Sequence, residues 1–555
     1  MENYQIADMF SLLSKVMDIH GDNSFKSKSY SIIAFQLEKV TEPLINMPIA
    51  QMAALKGIGE STAKKIAEII ATGRLAQLDE YIAKTPAGVL QMLHIKGIGP
   101  KKINTIWKEM EVESIGELLY ACNENRLTLF KGFGEKTQLT VKENIEFYLR
   151  NQGSFLYSEI EVFANKFLTE LKKLLAPARV EMIGSVPMHH DTVDQLDFIT
   201  DAASGELTIA LEKKSIPLEI QENNFHFKLE EGIRVNIACV EPAIFMEKVF
   251  TQNASPLFLE ALSEKVSIES INTFQTEPSF FASFGHDFIP PYLRHLPQVL
   301  LEKELPKIIQ PADVKGIIHT HSNWSDGSQT IEQMAKAAMD KGFSYLVISD
   351  HSKTATYASG LNEERVKAQH QQIDELNAKL APFKLFKSIE SDILNDGSLD
   401  YSDNILSTFD LVIASVHSNL KMTEEKAMAR VLKAIENPYT TILGHATGRL
   451  LLSRNGYPID HKKIIDACAA NNVVIELNAN PRRLDMDWSW IPYAIEKGVL
   501  ISIDPDAHSI DGYNDILYGV IAAQKGLLLP NKNLSSFSLE EFEKFLAERK
   551  LEKGI

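Results

Sequence analysis

The stretch "IIHTHSNWSDG", residues 317–327, places His319, His321 and Asp326 within eight positions, directly after a short apolar run. The pattern of an apolar strand ending in polar side chains returns six more times downstream. It appears in "SYLVISDH" from 344, "LFKSIESDI" from 385, "DLVIASVHS" from 410, "TTILGHA" from 440, "VVIELNANP" from 473 and "VLISIDPDAH" from 499. Near-continuous apolar strands separated by amphipathic helical segments predict a parallel sheet covered on both faces. Seven such units predict a closed (β/α)7 barrel rather than an open sheet.

In a parallel barrel the carboxyl ends of the strands share one rim. His319, His321, His351, Glu390, His417, His445, Asp506 and His508 all stand at such ends, and Asp326 follows the first strand closely. Any one of them alone reads as an ordinary capped histidine or strand-end acid. Nine at equivalent ends converge on one pocket, which points to divalent metal. Mixed histidine and carboxylate ligation suits Mn²⁺, Zn²⁺ or Fe²⁺ better than Ca²⁺. So many ligands exceed what one four-coordinate structural zinc uses, so the site reads as catalytic. Clustered cations acidify water and neutralise charge on a phosphoryl oxygen. Asp326 and Arg449 are the candidate catalytic residues. Arg449 in "GHATGR", with Arg482 or Arg483 in "NANPRRLD", is placed to hold a phosphate; a plain salt bridge is the bland alternative.

Upstream, the chain repeats itself. "LKGIGESTAKKI" (55–66), "IKGIGPKKINTI" (95–106) and "FKGFGEKTQLTV" (130–141) share Lys-Gly-apolar-Gly before a polar helical run. The pairs Gly57 and Gly59, Gly97 and Gly99, and Gly132 and Gly134 can turn the chain sharply and leave backbone N–H groups facing outward at a helix start. A single copy reads as a helix-helix turn. Three copies flanked by lysines, Lys65 and Lys101 among them, predict contacts with a phosphate backbone that position a duplex without reading its sequence. Charge agrees with this division. Residues 1–150 carry 18 Lys+Arg and 18 Asp+Glu, whereas residues 151–555 carry 39 and 56 and so hold the whole net charge of −17. A polyanionic partner is therefore expected at the N-terminal third alone.

These repeats resemble the helix-hairpin-helix motif of DNA repair proteins, and "GDNSFKSKSYSIIAF" (21–35) resembles the start of the family X polymerase lyase domain. In that family a lysine after the first hairpin forms a Schiff base with an abasic sugar, and Lys65 stands at the matching place. "MIGSVPMHHDTVDQLDFIT" (182–200) resembles the family X palm, an α+β nucleotidyltransferase domain, in which Gly-Ser precedes two arginines and a strand bearing Asp-apolar-Asp. The third aspartate of that family comes from a neighbouring strand, here "GIRVNIACVEP" (232–242). This chain has Gln195, Asp197 and Asn236 at the three positions, Pro187 and Met188 in place of the arginines, and only "VFTQNAS" (249–255) for the nucleotide-contacting segment. Nucleotidyl transfer needs those carboxylates to clamp two Mg²⁺. The expectation is a degenerate polymerase site on a retained scaffold.

The C-terminal barrel resembles the polymerase and histidinol phosphatase (PHP) domain, through "HTHSNWSDG", "SDHS", "IESDIL", "SVHS", "GHATGR", "NANPRRLD" and "DAHS". That resemblance implies a distorted barrel with nine ligands for three divalent ions, manganese or zinc. The whole order resembles bacterial PolX, a DNA repair family. The expected division is a helix-hairpin-helix region over 1–150, a palm-like domain over 151–290, a connector over 291–311 and the PHP domain over 312–555. The resemblance implies DNA as partner, as gapped, recessed or abasic duplex, and 3′→5′ exonuclease or abasic-site cleavage by the barrel. An active gap-filling polymerase and a small-molecule phosphatase are the alternatives. No run of about 18 apolar residues predicts a membrane span. Cys122, Cys239 and Cys468 lie far apart, without zinc-type spacing. A cytoplasmic, nucleoid-associated monomer is the expectation.

Overall fold

A computed structural model describes residues 1–123, 126–150, 153–213, 218–229, 232–452 and 455–555. The chain divides into two compact units, Met1–Gln152 and Gly153–Ile555.

The first unit is helical. Helices α1 (Asn3–His20), α2 (Ser24–Glu38), α3 (Glu60–Thr72), α4 (Pro100–Lys108) and α5 (Glu135–Arg150) carry most of it. It has two apolar centres, one around Phe10, Ile33 and Ile66 and one around Ile103, Trp107 and Ile145. The three repeats build one local structure. Gly57, Gly97 and Gly132 have φ of 82°, 86° and 93°, a left-handed backbone that a side chain would strain. The next residue in each, Ile58, Ile98 or Phe133, buries its side chain as the anchor of the turn. Gly59 and Gly99 are the N-caps of α3 and α4, without side-chain caps, so main-chain N–H groups open each helix.

The second unit begins with a mixed α/β layer. Helix α6 (Tyr157–Leu175) packs on a sheet of β1 (Val180–Ile183), β2 (Gln195–Thr200), β3 (Glu219–Gln221), β4 (Asn224–Lys228) and β5 (Arg234–Cys239). The strand order is β1-β2-β5-β4-β3. Strands β2 and β5 run parallel and set Asp197 opposite Asn236. Helix α7 (Phe245–Gln252) covers part of the face that bears these residues, packing Phe245 and Val249 on Ile183 and Ile199. The segment read as a connector is itself packed. Leu293, Val299 and Leu300 join Phe250, Phe258 and Phe281 in one cluster, and the fully buried Arg294 pairs with Glu277.

Seven parallel strands follow: β6 (Gly316–Thr320), β7 (Tyr345–Ile348), β8 (Lys384–Asp392), β9 (Leu411–Ser415), β10 (Thr440–Leu443), β11 (Val474–Asn478) and β12 (Ile501–Asp504). They neighbour one another in sequence order, as the sevenfold apolar pattern predicts. A parallel bridge between Thr320 and Ala507 joins the first strand to the chain after the last. The interior holds Ile318, Val347, Ile413 and Ile442, and Phe542 of the C-terminal helix stacks on Tyr345 at 4.6 Å to close the bottom. Each such side chain taken fully from water contributes about 1.5–3 kcal/mol. The outer faces of the strands meet the surrounding helices in a larger core that includes Leu346, Val412, Ile475, Ile373 and Val431. No helix among the described residues is long and apolar enough to cross a membrane. Cys122, Cys239 and Cys468 are buried free thiols.

Candidate metal centre

At the carboxyl rim the strand ends bring all nine predicted side chains together. Glu390, from the end of β8, lies at the middle and is 1% exposed. Its Oε1 is 2.9 Å from His445 Nε2, 3.0 Å from His417 Nε2 and 3.3 Å from His319 Nε2. Its Oε2 is 2.9 Å from His351 Nδ1 and 3.6 Å from His321 Nε2. Asp506 Oδ1 lies 3.2 Å from His321 Nε2 and 3.6 Å from His319 Nε2. Asp326 Oδ2 lies 3.4 Å from His508 Nε2 and 3.5 Å from His351 Nε2. Ligand atoms about 2.1 Å from one cation sit roughly 3 to 3.5 Å apart, so these spacings suit divalent ions.

Three groups of donors emerge: His321, Asp326, His351 and His508; His319, His321 and Asp506; and His351, Glu390 and His417. His321 is fully buried; Nδ1 has no hydrogen-bond partner among the described residues, and Nε2 has Asp506 Oδ1 nearest it, without good hydrogen-bond alignment. An imidazole buried in that way costs stability unless something binds it, and a cation fits. Two of the site's donors, His321 and Glu390, favour the ligating form, whereas, against the effect of burial, the carboxylates around them raise the pKa of His319, His351, His417 and His508. Burial lowers the pKa of His321 to about 3, with His508 and His351 pushing the same way. Burial opposes ionisation of Glu390, yet His417, His319 and His351 outweigh it and hold its carboxyl well below the usual range. The site thus binds divalent metal.

The backbone bends to make this arrangement. His319, His445 and Asp506 have φ of 60°, 21° and 51°, a region few side-chain-bearing residues adopt, and their neighbours hold them there.

Two carboxylates that sequence reading missed stand behind the histidines. Glu476 on β11, fully buried, accepts from His319 Nδ1 at 2.5 Å and from the His445 backbone N–H at 3.0 Å. Asp392 at the end of β8 accepts from His417 Nδ1 at 2.5 Å. Both fix a ring so that its other nitrogen faces Glu390. The signal was present, an acid one or two residues from each candidate ligand or strand end, but strand periodicity alone does not choose among such acids. Asp350 does similar work for a loop. It accepts from Ser322 N and Oγ, from Ser325 and from Gln369, and so shapes the turn that carries Asp326.

The arginines separate. Arg483 Nε lies 3.6 Å from Asp506 Oδ2, at the cluster. Arg449 spends its guanidinium elsewhere, on the Arg483 carbonyl at 2.9 Å, on Asp487 at 2.7 Å, on the Leu484 carbonyl and on Asp191 at 3.4 Å. Arg482 pairs with Glu159 at 3.3 Å on the surface.

In the middle layer Gln195, Asp197 and Asn236 do meet at one place, and Asp197 is the sole carboxylate of the three. In the helical unit the exposed Gly57, Gly59, Gly97, Gly99, Gly132 and Gly134 form the hairpin turns, with Lys101 exposed at the start of α4. Lys65 is partly buried on α3 and donates to Gln77 Oε1 at 2.7 Å. Burial lowers its pKa, with Lys26 adding to the effect and Glu68 opposing it.

Comparison with known proteins follows the same divisions. Residues 1–75 match a helix-hairpin-helix domain family, residues 89–143 a SAM-like helix-hairpin-helix tandem, and residues 318–480 the PHP domain. A DNA polymerase/3′-5′ exonuclease PolX of Bacillus subtilis (strain 168) is 32% identical over 98% of this chain and 99% of its own length. The chain belongs to the PolX family. The chain is also similar to a protein named a probable phosphatase from Thermoanaerobacter sp. (strain X514), 28% identical over 34% of this chain and 77% of that protein. Another protein so named, from Acetivibrio thermocellus, is 28% identical over 42% of this chain and 95% of its own length. The PolX relative thus spans the hairpin unit, the middle layer and the barrel together, whereas the phosphatases match a smaller share of the chain.

Proposed function

We propose that this PolX-family chain is a DNA repair nuclease whose PHP barrel hydrolyses phosphodiesters, as a 3′→5′ exonuclease, an abasic-site endonuclease, or both. The observation that carries the reading is the convergence of eight histidine and carboxylate side chains around Glu390, in a chain that also carries three hairpin turns. The three donor groups fit three divalent ions, Mn²⁺ or Zn²⁺, with Fe²⁺ also suited to this ligand set. Cations held there supply Lewis acidity toward a phosphoryl oxygen and acidify water.

The chain's own residues do the rest. His319, His321, His445 and Glu390 form a buried floor, while the Asp326 and His508 side chains, 33% and 43% exposed, form the open side where substrate enters. Arg483 stands beside Asp506 to meet a phosphate oxygen. Glu476 and Asp392 keep the rings of His319 and His417 from turning. The hairpins supply main-chain N–H groups and the lysines Lys65 and Lys101 to a DNA backbone, on gapped, recessed or abasic duplex. The middle layer serves as a scaffold without polymerase chemistry, and Lys65, held partly desolvated, is the candidate Schiff-base amine. A monomer in the cytoplasm, associated with the nucleoid, completes the reading.

A second reading, hydrolysis of small phosphate esters, is favoured by the phosphatases most of whose length the chain covers. One experiment separates the two. Purified protein with Mn²⁺ is incubated with gapped, recessed and abasic duplexes, with and without deoxynucleotides, and in parallel with histidinol phosphate. Shortened or nicked DNA is expected. Intact DNA alongside released inorganic phosphate would select the phosphatase.

A further inference from the structure

We propose that Asp191, on the loop after the Gly-Ser turn of the middle layer, is a positioning residue for the metal-site rim. It fixes Arg449, and Arg449 fixes the loop that carries Arg483 to Asp506. The inference rests on the reading of the barrel site as a phosphoesterase centre.

The Asp191 carboxylate faces two cations of the barrel. Its Oδ1 accepts from Lys525 Nζ at 2.7 Å and its Oδ2 from Arg449 Nη2 at 3.4 Å. Lys525 ends helix α8 (Ile516–Lys525), with its side chain 3% exposed. Its ammonium also donates to the His189 carbonyl at 2.8 Å and sits 4.6 Å from the centre of the Trp488 ring. A buried ammonium without an anion is strongly unfavourable. Among the described residues Asp191 is the carboxylate within ion-pair distance of Lys525. The middle layer therefore completes a charge balance that the barrel alone leaves open.

Arg449 passes this fixed position onward. With one edge held by Asp191 and by Asp487, it donates to the carbonyls of Arg483 and Leu484. Two residues on, the Leu451 backbone N–H donates to the Arg482 carbonyl at 2.7 Å. The segment 482–484 is thus stitched along its carbonyls, and its Arg483 side chain reaches Asp506 Oδ2 at 3.6 Å. Every link is a hydrogen bond or ion pair between named groups, so the path is physical and open to test.

The palm resemblance implies two arginines after the Gly-Ser turn. Here Pro187 and Met188 stand there, and the loop offers negative charge to the barrel instead.

The test uses the full chain carrying Asp191→Asn, Asp191→Glu, or Asp191→Asn with Lys525→Met. The double variant leaves no unpaired buried charge and guards against simple unfolding. Two quantities are read. One is amide hydrogen exchange of residues 482–487 in metal-free protein. The other is the KM and kcat for bis-p-nitrophenyl phosphate with Mn²⁺. Asp191→Asn and the double variant are expected to speed that exchange and raise KM about tenfold, with a smaller change in kcat. Asp191→Glu should restore most of both. Unchanged exchange and unchanged KM in a folded double variant would overturn the proposal. A wild-type protein that neither binds Mn²⁺ nor hydrolyses the ester would overturn the phosphoesterase reading instead, and faster exchange in the variant would still report the Asp191–Arg449 link.

Discussion

The side-chain amide of Gln195 donates to Oδ1 of Asp197 at 2.7 Å. Asn236 donates to the same oxygen at 3.1 Å. Two neutral amides thus occupy one oxygen of the lone carboxylate, where two-metal chemistry would need further carboxylates and two cations. Template-directed synthesis is expected to be absent. Primer extension on a gapped duplex with Mg²⁺ or Mn²⁺ should stay at background; extension that vanishes in Asp197→Ala would contradict this.

At the barrel rim, His319→Ala, Glu390→Ala and Asp506→Ala should each reduce phosphodiester hydrolysis by at least about a hundredfold while circular dichroism stays that of the wild type. Each removes a donor from a shared cluster, so one lost cation disturbs its neighbours. Assays without excess metal are decisive, and wild-type rates in any one variant would remove that residue from the site.

Glu476→Gln and Asp392→Asn test the carboxylates behind the rings. Glu476 serves three donors, His319, the His445 backbone and Asn478, with two oxygens, so the amide, with one, cannot satisfy them all. Metal affinity measured by calorimetry should weaken about 10- to 100-fold for each. Equal affinity would mean that packing alone holds the histidines.

Acid should loosen the second unit before it reaches the carboxylates. Burial, followed by the charge of Lys525, depresses both His189 and His295 to about 4 from an ordinary 6.5. The fold therefore prefers both rings neutral, whereas the unfolded chain takes up protons below 6.5. Stability is full above that value and is lost as pH falls from about 6.5 toward 4, by about 1.4 kcal/mol per pH unit for each histidine. Denaturant midpoints across this range, compared with His189→Asn, should show a shallower decline in the variant. Parallel declines would exclude His189 as a source.

Removing residues 1–152, a unit with its own apolar centres, should weaken duplex binding and slow DNA hydrolysis while hydrolysis of a small phosphodiester continues. Binding by the whole chain should fall with salt at a modest slope, because main-chain amides supply part of the grip and residues 1–150 have no excess positive charge. A truncated protein that degrades DNA as fast as the intact one would assign the hairpins to another partner.

The barrel was legible because six of its seven apolar runs end in a candidate ligand, so strand position and site position are largely the same fact. The hairpins were legible through repetition, since Gly57, Gly97 and Gly132 recur with the same neighbours. What could not be read was pairing at a distance. Arg449 sits in a motif that suggests phosphate, yet Asp191, which holds it, lies 258 residues upstream. Lys525 ends a helix, yet its side chain is buried against a different layer. Glu476 lies inside an apolar run, where nothing local marks it as the partner of His319. Periodicity reports which face a residue takes, and only the fold reports what that face meets.

The bridge between Thr320 and Ala507 has a consequence for the order in which the molecule matures. Two backbone hydrogen bonds, from His321 N to the Ala507 carbonyl and from Ala507 N to the His319 carbonyl, hold the first pair of donors against the last. That juxtaposition spans nearly the whole barrel, a contact of very high sequence separation and a slow one to form. On a ribosome the chain exposes His319 and His321 long before Asp506 and His508 exist. A chain interrupted before its last strand is therefore left with an open seam and without Asp506 and His508, while the His351, Glu390 and His417 group is already present.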